Sequence, residues 1–240
     1  MNRVFAQSAR AGRLETVLGP DVLALSRFTG SDHVSALFEY TVEAVSTDPD
    51  IVFDNLLGTH ATVTIESENG PRYFDGIVTE TRWTGATENG NKYALTLKPW
   101  FWLASRRRCQ RIFHNQTVVE IVKKLLSPYA AMGKPALEIA LNDSYVTLEY
   151  TVQYRESDFD FITRLLEDEG LYFWFDSDAE RSVMVVTDKA TQRPPLPVGD
   201  DSLRYAPPGG MMPDDDRPQV FDAELRRGVP VEAYATRGWN

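Results

Sequence analysis

A chain of 240 residues, 42% of them hydrophobic, is long enough to fill one large or two modest globular cores. Its formal charge of −10 opposes binding to nucleic acid, whose affinity rests on Lys and Arg neutralising phosphates. A single cysteine, Cys109, cannot close an internal disulfide, His33, His60 and His114 lack metal-ligand spacing, and no run reaches the roughly eighteen apolar residues of a membrane helix.

Residues 1–13 carry no apolar signal core behind their positive charges, so the chain is expected to start in the cytoplasm and remain soluble. Residues 22–28 and 38–45 alternate apolar and polar positions, with Gly30 and Ser31 between them, and predict two strands. Residues 60–66 and 72–80 flank Asn69-Gly70, the dipeptide that best accepts a type I′ turn, and predict a hairpin. Asn89-Gly90 then joins a strand ending near Trp83 to residues 92–98, where Tyr93, Leu95 and Leu97 share one face. A meander of this kind with one apolar face gains by closing into a small barrel or folding into a sandwich, and the barrel is favoured.

After Pro99 the period changes. Thr117 and Glu120 have capping-box spacing, Val118, Ile121, Val122 and Leu125 follow at helical intervals, Lys123 and Lys124 suit the end, and Ser127-Pro128 stops the helix. Residues 148–154 read as a strand, and Ser157 opens a second helix with Asp158 and Asp160 in its first turn. Its expected inner stripe is Phe159, Ile162 and Leu166, widened by Phe161 and Leu165, with Asp160 placed to pair with Arg164 and Gly170 as a left-handed C-cap. Residues 171–175 and 183–186 form a hairpin around residues 177–181. From Arg193 the chain turns to Pro, Gly and the acidic triplet Asp214 to Asp216, and residues 220–226 and 231–235 then alternate like strands. The expected fold class is α+β, mainly β: an antiparallel β-barrel over residues 1–105, an α+β subdomain with two amphipathic helices over 106–190, and a linker with the start of a further domain over 191–240.

Glu156, Asp158 and Asp160 cluster before the second helix, and Glu167, Asp168 and Glu169 close it. Carboxylate sets of this kind serve glycoside hydrolysis, and with the tryptophans they raise a glycan-binding or cell-wall-cleaving module as a remote alternative. Their ordinary duties, complementing the helix N-terminus and facing solvent, are favoured. No G-x-S-x-G, H-E-x-x-H or phosphate-binding glycine loop is present, and Cys109 has no neighbouring histidine. No catalytic, cofactor-binding or metal residue is assigned, and no cofactor is expected. Arg106, Arg107, Arg108 and Arg111 could grip phosphate or an acidic partner, although a solvated or intersubunit salt-bridged stretch is favoured. Consecutive aromatics at Trp100, Phe101, Trp102 and at Tyr172, Phe173, Trp174, Phe175 would point to both faces of an extended stretch, and core packing is favoured over a subunit or sugar-binding surface.

The string from Tyr150 to Phe175, YTVQYRESDFDFITRLLEDEGLYFWF, resembles the signature of the VgrG spike proteins of bacterial type VI secretion systems. Leu56-Leu57-Gly58, Arg72 to Val78, Tyr93 with Leu95 to Trp100, and Arg111-Ile112-Phe113 before the Thr117 helix follow that family's order. The resemblance implies a phage-tail-hub-like fold, in which residues 1–105 are the first hub β-barrel and residues 191–240 the start of a second β-barrel, and a structural role without enzymatic activity: a homotrimeric hub that caps the Hcp hexamer tube and positions the needle and effectors for injection. It further implies contact with a PAAR tip protein and effectors through a needle region, no nucleic acid and no membrane anchor. Such a protein is cytoplasmic in the producing bacterium and leaves through the type VI apparatus without a signal peptide. The same fold would serve as the baseplate hub of a contractile phage tail or tailocin.

Overall fold

The structure is a computed structural model that describes residues 5–67, 70–88, 90–129, 136–179 and 181–189, and the backbone of 204–205 and 219–220. The chain divides into two compact units, residues 1–193 and 194–240.

The first unit begins with strands β1 (Gly12–Thr16), β2 (Ala24–Ser31), β3 (Glu39–Ser46), β4 (His60–Ile65), β5 (Arg72–Thr87) and β6 (Gly90–Lys98). They form one antiparallel sheet in the order β1-β4-β5-β6-β3-β2. Both Asn-Gly expectations lead to hairpins: Ser67 and Gly70 exchange backbone hydrogen bonds, and Thr87 pairs with Gly90, while Asn69 and Asn89 lie outside the described residues. Tyr93, Leu95 and Leu97 are buried together as expected, facing Tyr40, Val42 and Ala44 of β3.

The sheet is a curled half-barrel whose edges β1 and β2 meet without a ladder. A β-carbon on Gly12 of β1 would lie 2.9 Å from Leu25 Cδ2 of β2. The buried carboxamide of Gln7 bridges this seam. Its Oε1 accepts from the Leu14 and Leu25 N–H groups, both at 2.9 Å, and its Nε2 donates to the Leu14 and Leu23 carbonyls at 3.1 and 3.2 Å. One side chain thus supplies four of the contacts that a strand pair would otherwise make. β1 escapes sequence reading because it is short and buries only Leu14.

Trp100–Arg106 is a 3₁₀ helix, where the sequence suggested an extended aromatic run. The tighter winding sends Trp100, Phe101 and Ala104 into the core and leaves Trp102 between the Lys98 ammonium and the Arg106 guanidinium, 5.8 and 5.5 Å from its ring. Next come β7 (Arg108–Gln116), α1 (Val118–Leu126), β8 (Ala136–Ala140), β9 (Leu148–Ser157), α2 (Asp158–Asp168), β10 (Tyr172–Ser177) and β11 (Ser182–Thr187). β7 pairs with β9, and β11 pairs antiparallel with β10 and parallel with β8.

Both helices start with a complete capping box, Thr117 with Glu120 and Ser157 with Asp160. α1 buries Val118, Ile121, Val122 and Leu125 as its spacing predicts, with Leu126 added. α2 buries Phe161, Ile162, Leu165 and Leu166, whereas Phe159 is half-buried against Phe101, ring centroids 5.0 Å apart. Gly170 ends α2 at φ +68°, with the Gly170 and Leu171 N–H groups donating to the Glu167 and Leu166 carbonyls. The β10–β11 hairpin packs on the curled sheet: the Ser35 N–H donates to the Phe173 carbonyl at 2.8 Å, and the Phe175 ring meets Phe38 edge-on at 5.3 Å.

In the second unit β12 (Arg204–Tyr205) pairs parallel with β13 (Gln219–Val220). The expected strands at 220–226 and 231–235 lie, apart from the Val220 backbone, outside the described residues.

Candidate functional site: the Asp158 cluster and the β7–β9 ribbon

The signature string runs from β9 through α2 into β10, and its centre is Asp158, the first residue of α2 and fully buried. Its backbone N–H donates to the Arg107 carbonyl at 2.9 Å. One carboxylate oxygen, Oδ1, accepts from Arg111 Nη1 at 2.5 Å and Gln153 Nε2 at 2.8 Å, and Oδ2 accepts from the Tyr129 hydroxyl at 2.8 Å. Gln153 Oε1 also accepts from Arg111 Nη1 at 2.7 Å. Burial pushes the Asp158 carboxyl up, yet hydrogen bonds from Arg111, Gln153 and Tyr129 outweigh it and hold the pKa below the ordinary value. Tyr129 is pushed up to about 12, first by burial and then by its bond to Asp158.

Of the carboxylates weighed as catalytic, Glu156, Asp158, Asp160 and Asp168 have structural partners. Glu156 pairs with Arg164 at 2.7 Å, and Asp160 Oδ2 accepts from the Ser157 hydroxyl at 2.7 Å. Since the capping box holds Asp160, Arg164 turns to Glu156, with Asp168 4.0 Å away, in place of the expected Asp160–Arg164 pair. Glu167 is exposed and Glu169 half-buried at the helix end. Among the described residues, no group of three or more His, Cys, Asp or Glu could hold a metal ion.

The arginine run separates by position. Arg106 ends the 3₁₀ helix and stacks on Trp102, Arg107 and Arg108 are exposed, and within β7 Arg111 points inward to Asp158 while Arg108 points out. The intramolecular role of Arg111 departs from the expected solvated or intersubunit stretch. Arg107 also donates to the half-buried Cys109 side chain, which raises the guanidinium pKa. Gln153 and Tyr129 were not singled out in the sequence. A polar residue at a strand position facing a helix was the available signal for Gln153, and its partners lie 42 and 5 residues away.

The opposite face of β7 and β9 exposes Ile112, Tyr150 and Tyr154 at 57%, 58% and 59%. The β7–β9 register shifts between Cys109 and Arg111, and Arg155 sits in the left-handed region at φ +56°. This bulge turns both Tyr154 and Arg155 to solvent while Gln153 faces Asp158.

The model of the phage tail baseplate hub (GPD) family matches residues 31–240. Type VI secretion system spike proteins VgrG1c and VgrG1a of Pseudomonas aeruginosa are each 37% identical to the chain, over 94% and 93% of it, and it spans 30% and 34% of their lengths. Among solved structures, the E. coli c3393 protein, a type VI secretion component similar to the T4 tail proteins gp27 and gp5, matches with TM-score 0.66 at 24% identity, covering 82% of this chain and 51% of that one. The curled half-barrel and its hub-protein neighbours agree with the expected fold class, and the relatives carry the type VI spike name that the signature string suggested. With the family model covering all but the first 30 residues, the chain belongs to the phage tail baseplate hub family.

Proposed function

We propose that this chain is hub material of a type VI secretion spike: a non-enzymatic scaffold that trimerises in the complete protein, caps the Hcp hexamer tube and positions the needle and effectors. The observation that carries this reading is the use of the signature string itself. Its distinctive polar residues, Gln153, Glu156, Asp158 and Asp160, serve to anchor a helix to a ribbon, which is scaffold work. Contacts with a PAAR tip and effectors would fall to regions beyond this one, and export would proceed through the type VI apparatus from the producing cytoplasm. No helix among the described residues is long and apolar enough to cross a membrane.

The test is assembly. The full-length protein is expected to sediment as a trimer and to co-elute with Hcp rings; a monomer that leaves Hcp rings unbound would refute the reading. The family model favours a second reading, a baseplate hub of a contractile phage tail or tailocin. Neighbouring genes for a type VI membrane complex or for phage tail fibres separate the two.

A further inference from the structure

Among the described residues, β7 and β9 form a two-stranded ribbon in which each strand pairs with the other alone. Such ribbons are stable when one face is buried, and here Phe113 and the Arg111–Gln153–Asp158 cluster anchor the inner face. The outer face is different. Ile112 and Val152 are cross-strand partners, His114 and Tyr150 come next with ring centroids 5.3 Å apart, and Tyr154 continues along β9. A single exposed apolar side chain needs no explanation, but three large ones aligned on one strand pair mark an interaction surface. One end of this face is basic: Arg108, exposed at the start of β7, lies across from the end of β9, where the Arg155 guanidinium sits 5.1 Å from the Tyr154 ring centre.

The two ribbon edges are unequal. On β9, the Val152 carbonyl receives the Arg164 guanidinium at 3.5 Å, so α2 covers that side. On β7, alternate N–H and C=O groups point away from β9. Among the described residues these outward groups of β7 have no hydrogen-bond partner. An uncovered edge beside an apolar face suits an added strand.

We propose that the outer edge and outer face of β7 bind an extended acidic segment of a partner protein. That segment adds as a third strand beside β7, its apolar side chains extend the Ile112 face, and its carboxylates meet Arg108 and Arg155. A second copy of β7 is a poor occupant, because residues 108–116 contain no carboxylate to meet Arg108 or Arg155. Nucleic acid is poorer still, since a strand edge offers it nothing and the chain as a whole carries −10. The proposal does not depend on trimer formation or Hcp binding.

The test is selection from a displayed random-peptide library on the immobilised 240-residue chain, followed by affinity measurement on the synthesised winner. Peptides alternating apolar residues with Asp or Glu are expected. Arg108→Glu and Ile112→Glu should each weaken the winner about tenfold or more, and N-methylation of its alternate amides should abolish binding. Because both side chains are exposed, thermal unfolding of the variants should match the parent, which separates lost binding from lost fold. Failure to enrich any peptide, enrichment of basic peptides, or a winner indifferent to Ile112→Glu would overturn the proposal. So would efficient disulfide trapping of Gln110→Cys copies to one another on a Cys109→Ser background, which would make the occupant a second copy.

Discussion

A carboxylate removed from water keeps its charge only when both oxygens are well hydrogen-bonded, and Asp158 meets that condition through Arg111, Gln153 and Tyr129. Removing one side of such a pair leaves the other uncompensated. Arg111→Met should therefore lower stability by about 3–5 kcal/mol, read as a lower urea midpoint at unchanged slope. Asp158→Asn should cost less, because the Arg111 side chain, 24% exposed, can still reach water. A loss of under about 1 kcal/mol in Arg111→Met would mean that the cluster does not anchor the helix. The pH dependence follows from the same bonds. The folded pKa of Asp158 is depressed below its unfolded value of about 3.9. Its stabilisation is thus complete above the unfolded pKa and is lost as pH falls through the folded one. Asp188 adds to this acid limb: bonds from the Asn142 and Asp143 amides, the Asn142 side chain and the Tyr145 hydroxyl outweigh desolvation and hold its carboxyl far below the ordinary range. Denaturant midpoints should be flat from neutrality to about pH 5 and fall below that, with a shallower fall in Asp158→Asn. An equal slope in that variant would remove Asp158 from the account. The sequence made Asp158 visible as a helix-start carboxylate, but its main partner lies 47 residues earlier, and no local pattern links positions so far apart.

At the scale of elements, the features visible in sequence were those written within a few residues. Both helix starts, the Gly170 stop and the hairpins at Gly70 and Gly90 depend on side chains that satisfy or reshape their own neighbourhood. β7 and β8 were missed for the opposite reason. β7 is a run of arginines and polar residues whose strand character comes from pairing with β9, and β8 is a short strand that joins the sheet only through parallel pairing with β11. The seam at β1 and β2 was equally hidden, because its closure depends on Gln7, outside any strand. Truncating that side chain strands the Leu14 and Leu25 N–H groups and two carbonyls in a buried seam. Gln7→Ala should cost about 2 kcal/mol or more, each stranded buried group contributing roughly 1–3 before relaxation. Amide hydrogen exchange is the sharper check: protection at Leu14 and Leu25 should drop while that at Val42 and Leu95, in the middle of the sheet, persists. Undiminished protection at the seam would show that β1 and β2 hold together without the bridge.

Across the first unit the hydrophobic core is continuous, and this bears on how far its parts can stand alone. The buried cluster runs from Leu14 and Phe38 in the half-barrel through Trp100 and Phe101 to Phe161, Ile162 and Phe173. Phe101 is the junction: it follows the last barrel strand, yet its ring packs against Phe159 of α2 and Phe173 of β10, centroids 5.0 and 5.6 Å away. Residues 1–105 alone would therefore expose Phe101, the side of Phe38 that meets Phe175, and the Ser35 amide that now donates to Phe173. Residues 106–190 alone would expose Phe173 and Phe175. We expect residues 1–193 to unfold in one transition by both tryptophan fluorescence and far-ultraviolet circular dichroism, as a cooperative unit should. Phe173→Ala should lower both signals' midpoint together, by about 3–5 kcal/mol for a fully buried aromatic at such a junction. If instead the half-barrel strands kept their midpoint while α2 and the β10–β11 hairpin melted first, the two parts would be separate folding units that merely touch. The first outcome is the one a continuous core requires, because the Phe101, Phe38–Phe175 and Ser35–Phe173 contacts together tie the half-barrel to α2 and the β10–β11 hairpin.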